Sequence, residues 1–566
     1  MHICVQISFV NILFSHPSIT PQLEVCRLAR LLTAAFLLGF LAACAVGPDF
    51  KQPDAPKVSA LTEKPIPTQL TTTPDVPGGS EQTLVESKDI PAKWWELFKS
   101  PELDILIRKA LEQNPNLAAA DAALRAAQEN VSAQIGGQYF PKIGANASAA
   151  REQLPYAVYG LPRGDPIYDL YNTTVNISYV PDFFGRARRT VENARAQAEI
   201  SQYQLEGAYL NLTSNLVTSA VREAQLRAQY QATKEILEAQ TYFANIIKQQ
   251  LEIGSVSKVD LTSQLALVAS SQAELLVYEK NVAFARNQLA ALTGEYPGSA
   301  VIKGFNLGDL HLPDQLPLSL PSSLVRQRPD ILAAESVMKS TNALVGVATA
   351  NLLPQITLSG AEGSAALTTG ALFGPTAALW SIAGGLFQPL FQGGQLLAQR
   401  RGAMANYEQA VFQYQAAVIT AFQQVADALQ ALDADAKALT AATATERYAK
   451  ETLNLVQDQY RFGTASYLQV LYYQTQYQNA KIRSLQAQAL RFADTAALFT
   501  ALGGGWWNRE GPAYKTKTIA SSESANEVPL ANILVRPAEG GPTATSAASP
   551  LTSAELPISN ANLIVK

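Results

Sequence analysis

Apolar and polar residues alternate strictly along residues 170–180. The more apolar side carries, in order, Tyr171, Thr173, Val175, Ile177 and Tyr179, and Asn, Thr and Ser residues occupy the other side. A period of two residues predicts a β-strand. An apolar side with tyrosines near both ends is typical of a membrane strand, because aromatic residues collect at the two lipid–water interfaces.

Weaker alternation, with many Gly, Ala and Ser residues, predicts three more strands at about 143–153, 355–365 and 378–388. We expect the four strands to form two pairs. In a membrane sheet, Trp380 and Phe387 would join Tyr171 and Tyr179 in an aromatic belt. The alternation alone leaves a second interpretation open, namely two ordinary soluble hairpins.

A helical period dominates the rest of the chain. Residues 185–252 contain no proline, and a continuous helix of that length would extend about 100 Å. The following segment, 256–293, places apolar residues at sevenfold spacing, which favours a coiled-coil seam; these are Leu261, Val268, Leu275, Val282 and Leu289. Leu485, Phe492 and Phe499 repeat that spacing later. Gly254 and Gly463 permit breaks between long helices, and a serine three residues after each can cap the next helix.

The chain contains two copies of this plan, about 210 residues apart. Four segments recur in the same order: residues 139–149 and 352–365, 180–196 and 387–403, 249–264 and 458–474, and 290–294 and 500–504. Each copy reads as helix, two strands, a very long helix, a tight break and another long helix. The second pair of long helices is expected at about 395–461 and 464–502.

Such helices need neighbours along their whole length, and four strands are too few to close a membrane barrel, which has at least eight. Three chains would supply twelve strands. The sequence therefore predicts an oligomer, and this argument permits a trimer, a dimer or a tetramer.

The N-terminal region resembles a lipoprotein leader. Arg27 and Arg30 precede an apolar run at 31–43 that is too short to span a membrane, and Leu41-Ala42-Ala43-Cys44 has the form of a lipobox. We expect 1–43 to be a signal peptide, Cys44 to be acylated, and the Pro-rich residues after it to form a tether. The alternative is an ordinary signal peptide with an incidental cysteine. A true start near Leu23 or Val25 is a further hypothesis.

Composition gives little support to an enzyme. Beyond the leader, His311 is the only histidine and no cysteine follows Cys44, so no cofactor or metal site is predicted other than the covalent lipid. A net charge of −4 gives no reason to expect a nucleic-acid partner.

The chain resembles the lipoprotein outer-membrane factors of tripartite, RND-type efflux systems, the OprM/NodT branch of the TolC-like family. The resemblance covers about 44–507 and rests on five segments: "CAVGPDFKQP", "WWELFKSPELDILIRKALEQNPNL", "LVRQRPDILAAE", "YRFGTASYLQVL" and "ALGGGW". It implies a mainly α homotrimer with a 12-stranded membrane β-barrel, four strands per chain, and a long α-helical periplasmic barrel. It also implies a periplasmic adaptor and an inner-membrane pump as partners, passive efflux, and a Gram-negative outer membrane as the location.

The resemblance further implies a closed periplasmic tip around Gly254 and Gly463. The family's constriction carries a Leu, then an Asp and an Arg, and the matching positions here are Leu468, Tyr472 and Thr475. Leu468 agrees with that pattern, whereas the Asp and Arg are absent. A ring of Tyr472 side chains could close the tip instead, or Tyr472 could simply pack between helices. Asp260 could add negative charge near the first break.

The predicted organisation is a leader (1–43), a lipid-anchored tether (44–100), two repeats (101–318 and 319–507) and a disordered tail (508–566). Type I protein secretion and a pore-free, lipid-anchored coiled-coil scaffold are the alternative functions. The sequence does not identify the transported substrate.

Overall fold

The computed structural model describes residues 46–56, 60–153, 167–318 and 321–511. The chain divides into two units, 1–515 and 516–566, and every described residue belongs to the first. The predicted leader, Cys44 and nearly all of the predicted tail lie outside the described residues.

The described strands, in chain order, are β1 (Thr83–Glu86), β2 (Lys142–Gln153), β3 (Ile167–Tyr179), β4 (Gln315–Leu318), β5 (Gln355–Ala366) and β6 (Ala378–Phe387). The described α-helices are α1 (Pro101–Gln113), α2 (Pro115–Tyr139), α3 (Arg186–Glu252), α4 (Lys258–Leu292), α5 (Pro321–Gln327), α6 (Pro329–Ala350), α7 (Gln395–Arg461) and α8 (Tyr467–Ala501).

Four strands form one antiparallel sheet in the order β2-β3-β5-β6. Their bounds lie within about three residues of the four strands that alternation predicts. Strands β2 and β6 each have a neighbour on one side only, so the sheet presents two open edges. An open edge carries unpaired backbone N–H and C=O groups, which favour pairing with another chain.

The two sides of this sheet differ in polarity. Residues paired directly across the sheet share a side. One side is mostly apolar and includes Ile143, Ala145, Tyr171, Val175, Ile177, Tyr179, Leu358, Trp380, Ile382 and Leu386. Its charged exceptions are Glu362 and the pair Arg151–Asp169. The other side is more polar, with Asn or Ser at two of the six positions of β2 and Asn, Thr or Ser at four of the six positions of β3.

The register corrects one member of the predicted aromatic belt. Trp380 lies opposite Glu362 and shares the apolar side with Tyr171 and Tyr179, whereas Phe387 lies opposite Gln355 on the polar side. Residues an odd number of positions apart in a regular strand point to opposite sides. Phe387 therefore does not share a side with Trp380.

The helices repeat their dimensions in the two halves. Helices α3 and α7 each contain 67 residues, and α4 and α8 each contain 35. Gly185 and Gly394 precede the two longest helices with φ of 82° and 83°, a region that favours glycine. No helix in the described ranges is long and apolar enough to cross a membrane.

The main apolar core lies where the long helices meet the N-terminal segment. Trp94 is fully buried and stacks on Phe499, with ring centroids 5.5 Å apart. Phe98 packs against Phe492 beside them. The parallel pair β1–β4 joins residues 83–86 to 315–318 close to this core. This core lies at mid-length on α3 and α7 and near the C-terminal ends of α4 and α8, so the N-terminal segment and the β1–β4 pair join the four long helices there as a small belt.

Each chain leaves apolar residues exposed on its long helices. On α7 these include Met404, Phe412 and Ile419, and on α4 they include Leu276 and Phe284. Exposed apolar residues in helical register indicate a surface that another helix covers.

The first described residues are docked on the helical body, which corrects the prediction of a tether there. Val46 N–H donates to the carbonyl of Phe184 at 3.1 Å. Gly47 lies against Gly346 of α6, where a Cβ on Gly47 would come within 2.6 Å of the Gly346 Cα. The Asn342 side chain donates to the Pro48 carbonyl at 2.9 Å.

A buried arginine fixes the same segment. Arg189 of α3 bonds the Gly47 carbonyl at 3.3 Å and the Asp49 carboxylate at 2.7 Å, and it also pairs with Glu192. Phe50 packs against a smaller apolar cluster that includes Ile331 and Met338 of α6. We call residues 46–52 the strap. The glycine and proline of the strap shape its backbone, and the strap lies along the surface of the helices.

Candidate functional site

The two breaks between long helices have the same backbone. Gly254 and Gly463 both have φ of 75°. In the first turn Ser255 N–H donates to the Gln250 carbonyl at 2.8 Å, and in the second Thr464 N–H donates to the Gln459 carbonyl at 2.9 Å. We call these segments, 253–257 and 462–466, the first turn and the second turn.

Both turns also begin the next helix in the same way. Ser257 Oγ accepts the N–H of Asp260 at 3.2 Å, and the Asp260 carboxylate accepts the N–H of Ser257 at 2.9 Å. Ser466 and Gln469 form the matching capping box of α8. A capping box satisfies N–H groups that lack partners at a helix start. The carboxylate of Asp260 is thus bonded within the capping box at the start of α4.

One side chain joins the two turns. Tyr467, the first residue of α8, is 4% exposed, and its hydroxyl donates to Gln264 Oε1 on α4. Its ring stacks on Phe243 of α3, with centroids 6.1 Å apart and planes 12° apart. Tyr460 of α7 packs beside both rings and donates to Gln250 Oε1 at 3.0 Å. These contacts connect the helix pair of one repeat to that of the other.

The electrostatics keep both hydroxyls in their neutral, donating form. Burial raises the pKa of Tyr467, and the neighbouring Tyr460 and Asp260 raise it further. Burial, with Asp260 as the second cause, also raises the pKa of Tyr460. A negative charge on either phenol would be poorly solvated and would lie near the Asp260 carboxylate.

The contact surface between the two repeats continues from Tyr467 along α3, α4 and α8. This surface, which we call the seam, is polar. Gln264 Nε2 donates to the Gln240 carbonyl at 2.8 Å, Gln240 Nε2 to Gln478 Oε1 at 3.4 Å, and Gln478 Nε2 to Glu274 at 2.7 Å. The buried Oε1 atoms of Gln240 and Gln474 have no hydrogen-bond partner among the described residues. Because unsatisfied buried polar atoms oppose tight packing, this seam suits a joint that moves.

The residues predicted for a constriction lie on one exposed face of α8. Leu468 is 63% exposed and Tyr472 is 59% exposed, and Thr475 is one turn further along. Spacings of four and three residues place all three on the same side of a helix. Tyr472 contacts Tyr473 edge to face at 5.1 Å, and the Thr475 hydroxyl donates to the Leu471 carbonyl. Leu468 and Tyr472 thus project away from the core of their own chain.

Sequence reasoning missed Tyr467, Gln264 and Phe243. The available signal was a difference between the repeats, since Tyr467 occupies the position that Lys258 has after the first turn. Between the turns is a groove of about 970 Å³ lined partly by Tyr242, Phe243 and Leu468. Beside the glycine of each turn an apolar side chain is exposed, Ile253 by 80% and Phe462 by 83%.

The predicted lipidation site, Cys44, lies outside the described residues, and the strap begins two residues after it. Within the described part of the chain, no group of three or more His, Cys, Asp or Glu side chains could hold a metal ion.

Comparison with protein families gives one match that spans both repeats. Residues 106–295 and 320–504 match the family model described as outer membrane efflux protein. The matched ranges cover most of the chain, including all four long helices, the four-stranded sheet and both turns.

Individual proteins agree with this match. The pyoverdine export outer membrane protein OpmQ of Pseudomonas aeruginosa is 29% identical over 429 residues, 75% of this chain and 90% of that protein. The probable outer membrane lipoprotein SilC of Salmonella typhimurium is 27% identical over 416 residues, 73% of this chain and 88% of that protein. The solved structure of the outer-membrane channel OprN superposes with a TM-score of 0.73 at 26% identity, over 82% of this chain and 100% of OprN.

Proposed function

Because the chain belongs to the outer membrane efflux protein family, we propose that it is the outer-membrane channel of a tripartite efflux pump. In this role it conducts small molecules passively from the periplasm to the exterior. The observation that carries the proposal is the pairing of a membrane-type sheet with two long helical hairpins whose turns meet in one latch, Tyr467 on Gln264.

TolC-like efflux channels are trimeric, and this chain has the surfaces that a trimer needs. Edge strands β2 and β6 would pair between neighbouring chains and close twelve strands into a barrel. The exposed apolar residues of α7 and α4 would pack between chains below it. The apolar side of the sheet then meets lipid and the polar side lines the conduit.

The two turns form the periplasmic tip in this proposal. Three copies of Leu468 and Tyr472 face the axis and narrow it, while Tyr467 holds each second turn against the first turn of the same chain. Opening requires the α7–α8 pair to leave the α3–α4 pair. The polar seam above Tyr467 makes that separation less costly than separation of an apolar seam.

A periplasmic adaptor joined to an inner-membrane pump of the RND type would engage the tip. The exposed Ile253 and Phe462, one at each turn, offer apolar contacts to such a partner. The pump supplies the energy, and the channel supplies the exit.

The N-terminus would be held in the membrane by lipid on Cys44. The lipobox-like sequence before Cys44 supports this, and the relative SilC is named as a probable outer membrane lipoprotein. Several acyl chains on one cysteine give firm anchoring, because each buried CH₂ contributes about 0.8 kcal/mol.

The test is single-channel conductance of the mature protein in a planar bilayer, together with its oligomeric mass. A trimer that gives small, rare openings fits a channel closed at its tip. A trimer that never inserts and never conducts would contradict the proposal and favour a pore-free scaffold.

A further inference from the structure

The polar side of the sheet carries charge at its two ends only. Within the described strands, its charged residues are Lys142, at the start of β2, and Glu152, near the far end of that strand. The Glu152 carboxylate accepts a hydrogen bond from the Tyr168 hydroxyl at 2.8 Å. Lys142 is therefore the one charge on this side near the junction where the strands meet the long helices.

Arg186 lies at the same junction. It is exposed, it begins α3, and it lines a cavity of about 260 Å³ together with Lys142 and Ser178. Ser178 lies directly opposite Lys142 on the polar side of the sheet. Lys142 thus belongs to the surface that lines the conduit in the proposed trimer, and Arg186 adjoins that surface through the shared cavity.

The carboxylate that lines this cavity does not neutralise them. Asp182 lines the same cavity, but it accepts the N–H groups of Ala187 and Arg188 at 3.0 and 2.9 Å and the Arg188 guanidinium at 3.3 Å. No ion pair or hydrogen bond is found for the side chain of Lys142 or Arg186 among the described residues. The N-terminal helical turn of α3, which begins at Arg186, contains no acidic residue, although the positive end of a helix favours one.

We propose that Lys142 and Arg186 form a basic ring at the base of the barrel that makes the conduit prefer anions. The inference rests on the proposed trimeric channel, in which three copies of each residue place six positive charges around the axis. Rings of Lys and Arg favour anions in pores. At the narrow end Leu468, Tyr472 and Thr475 are uncharged, and the carboxylate of Asp260 accepts the N–H and hydroxyl of Ser257 in its capping box. The favoured cargo class is then organic anions.

A local measurement tests the ring without depending on the tip. Asn146 lies on the polar side, four residues from Lys142, and Asn146→Cys in a chain beginning at residue 44 with Cys44→Ser provides a single thiol for a fluorophore. In the reconstituted trimer, collisional quenching by iodide and by caesium ions compares anion and cation concentrations at that point. Salt is kept near 10 mM, where the Debye length is about 30 Å.

With each quenching constant divided by its value for the free fluorophore, we expect iodide to quench more strongly than caesium, and K142Q/R186Q to reduce the ratio of the two by about twofold or more. The matched control, R108Q/K303Q, removes two charges from the outer belt and should leave the ratio unchanged. Equal quenching by the two ions in the unmodified ring, or an equal effect of both double variants, would overturn the inference.

The reversal potential in a tenfold KCl gradient then distinguishes failure of the basic ring from failure of the proposed channel function. An anion-selective current that K142Q/R186Q shifts towards cations supports both the ring and the channel. Preferential iodide quenching in a trimer that passes no current would leave the ring standing and would reject the proposed channel function.

Discussion

The first turn and the second turn have the same backbone and the same type of cap, yet they differ in what they hold. After the first turn comes Lys258, which is exposed; after the second comes Tyr467, which is buried between Phe243 and Gln264. A duplicated hairpin has thus kept its geometry while one copy has acquired the contact that joins the two. The α3–α4 hairpin contributes Phe243 and Gln264 to this contact, and the α7–α8 hairpin contributes Tyr467.

The substitution with the largest expected effect on this difference removes the aromatic ring of Tyr467. Tyr467→Ala loses the stack on Phe243 and the hydrogen bond to Gln264, and we expect it to destabilise the tip by about 3 kcal/mol. Hydrogen exchange of amides 467–475 measures the loss as faster local opening. Lys258→Ala, at the matching position, should change exchange by less than about 0.5 kcal/mol. Similar effects of both substitutions would mean that the turns are equivalent.

Alkaline pH should weaken the contact that Tyr467 makes. The folded pKa of Tyr467 is raised above its ordinary value by burial, so the folded protein keeps this proton while the unfolded chain releases it above about pH 10. Stability contributed by Tyr467 is therefore lost as pH rises, by up to about 1.4 kcal/mol per unit above pH 10. Bilayer current at pH 11 relative to pH 7 should increase, and Tyr467→Phe should lack that part of the increase. An unchanged pH response in Tyr467→Phe would place the sensitivity elsewhere.

The two glycines should behave alike. Neither Gly254 nor Gly463 has an atom within 4 Å of a Cβ position, so alanine at either meets only the cost of a positive φ, about 1 kcal/mol. Hydrogen exchange at the two turns measures both costs in the same experiment. A markedly larger loss at Gly463 would show that the second turn has a backbone role that its dihedral angles do not reveal.

The smallest effect on stability, but a visible effect on leak, is expected from Tyr472. Its ring is exposed in a single chain, so Tyr472→Ala should cost less than about 0.5 kcal/mol. If three such rings narrow the axis, the current through the purified channel rises. Ser263→Ala, the matching change after the first turn, serves as the control. Unchanged conductance in Tyr472→Ala would leave Tyr472 as a packing residue between helices.

The local sequence pattern was sufficient to predict features that depend on residues close together in the chain. Alternation placed the strands, and glycine followed by a capping serine placed both turns, because turn and cap energetics act over a few residues. The Tyr467–Gln264 bond joins residues 203 positions apart, and no local pattern encodes it. Comparing the repeats position by position would have indicated Tyr467 as the exception.

Two errors have different causes. The predicted aromatic belt includes Phe387, although its odd separation from Trp380 puts it on the other side of a regular strand. The predicted tether rests on the Pro-rich composition after Cys44, which is common in linkers. The strap shows the other use of these residues: Gly47 allows close contact with Gly346, and Arg189 fixes the carbonyl and carboxylate groups beside it.

The strap also determines how the chain bears mechanical load at its N-terminal end. A pull on Val46 acts first on its bond to Phe184 and then on contacts with α3, through Arg189, and with α6, through Asn342 and Gly346. These two helices come from different repeats, so the tension is shared between the two halves of the chain. The strap therefore acts as a fastening that distributes strain across the seam between the repeats.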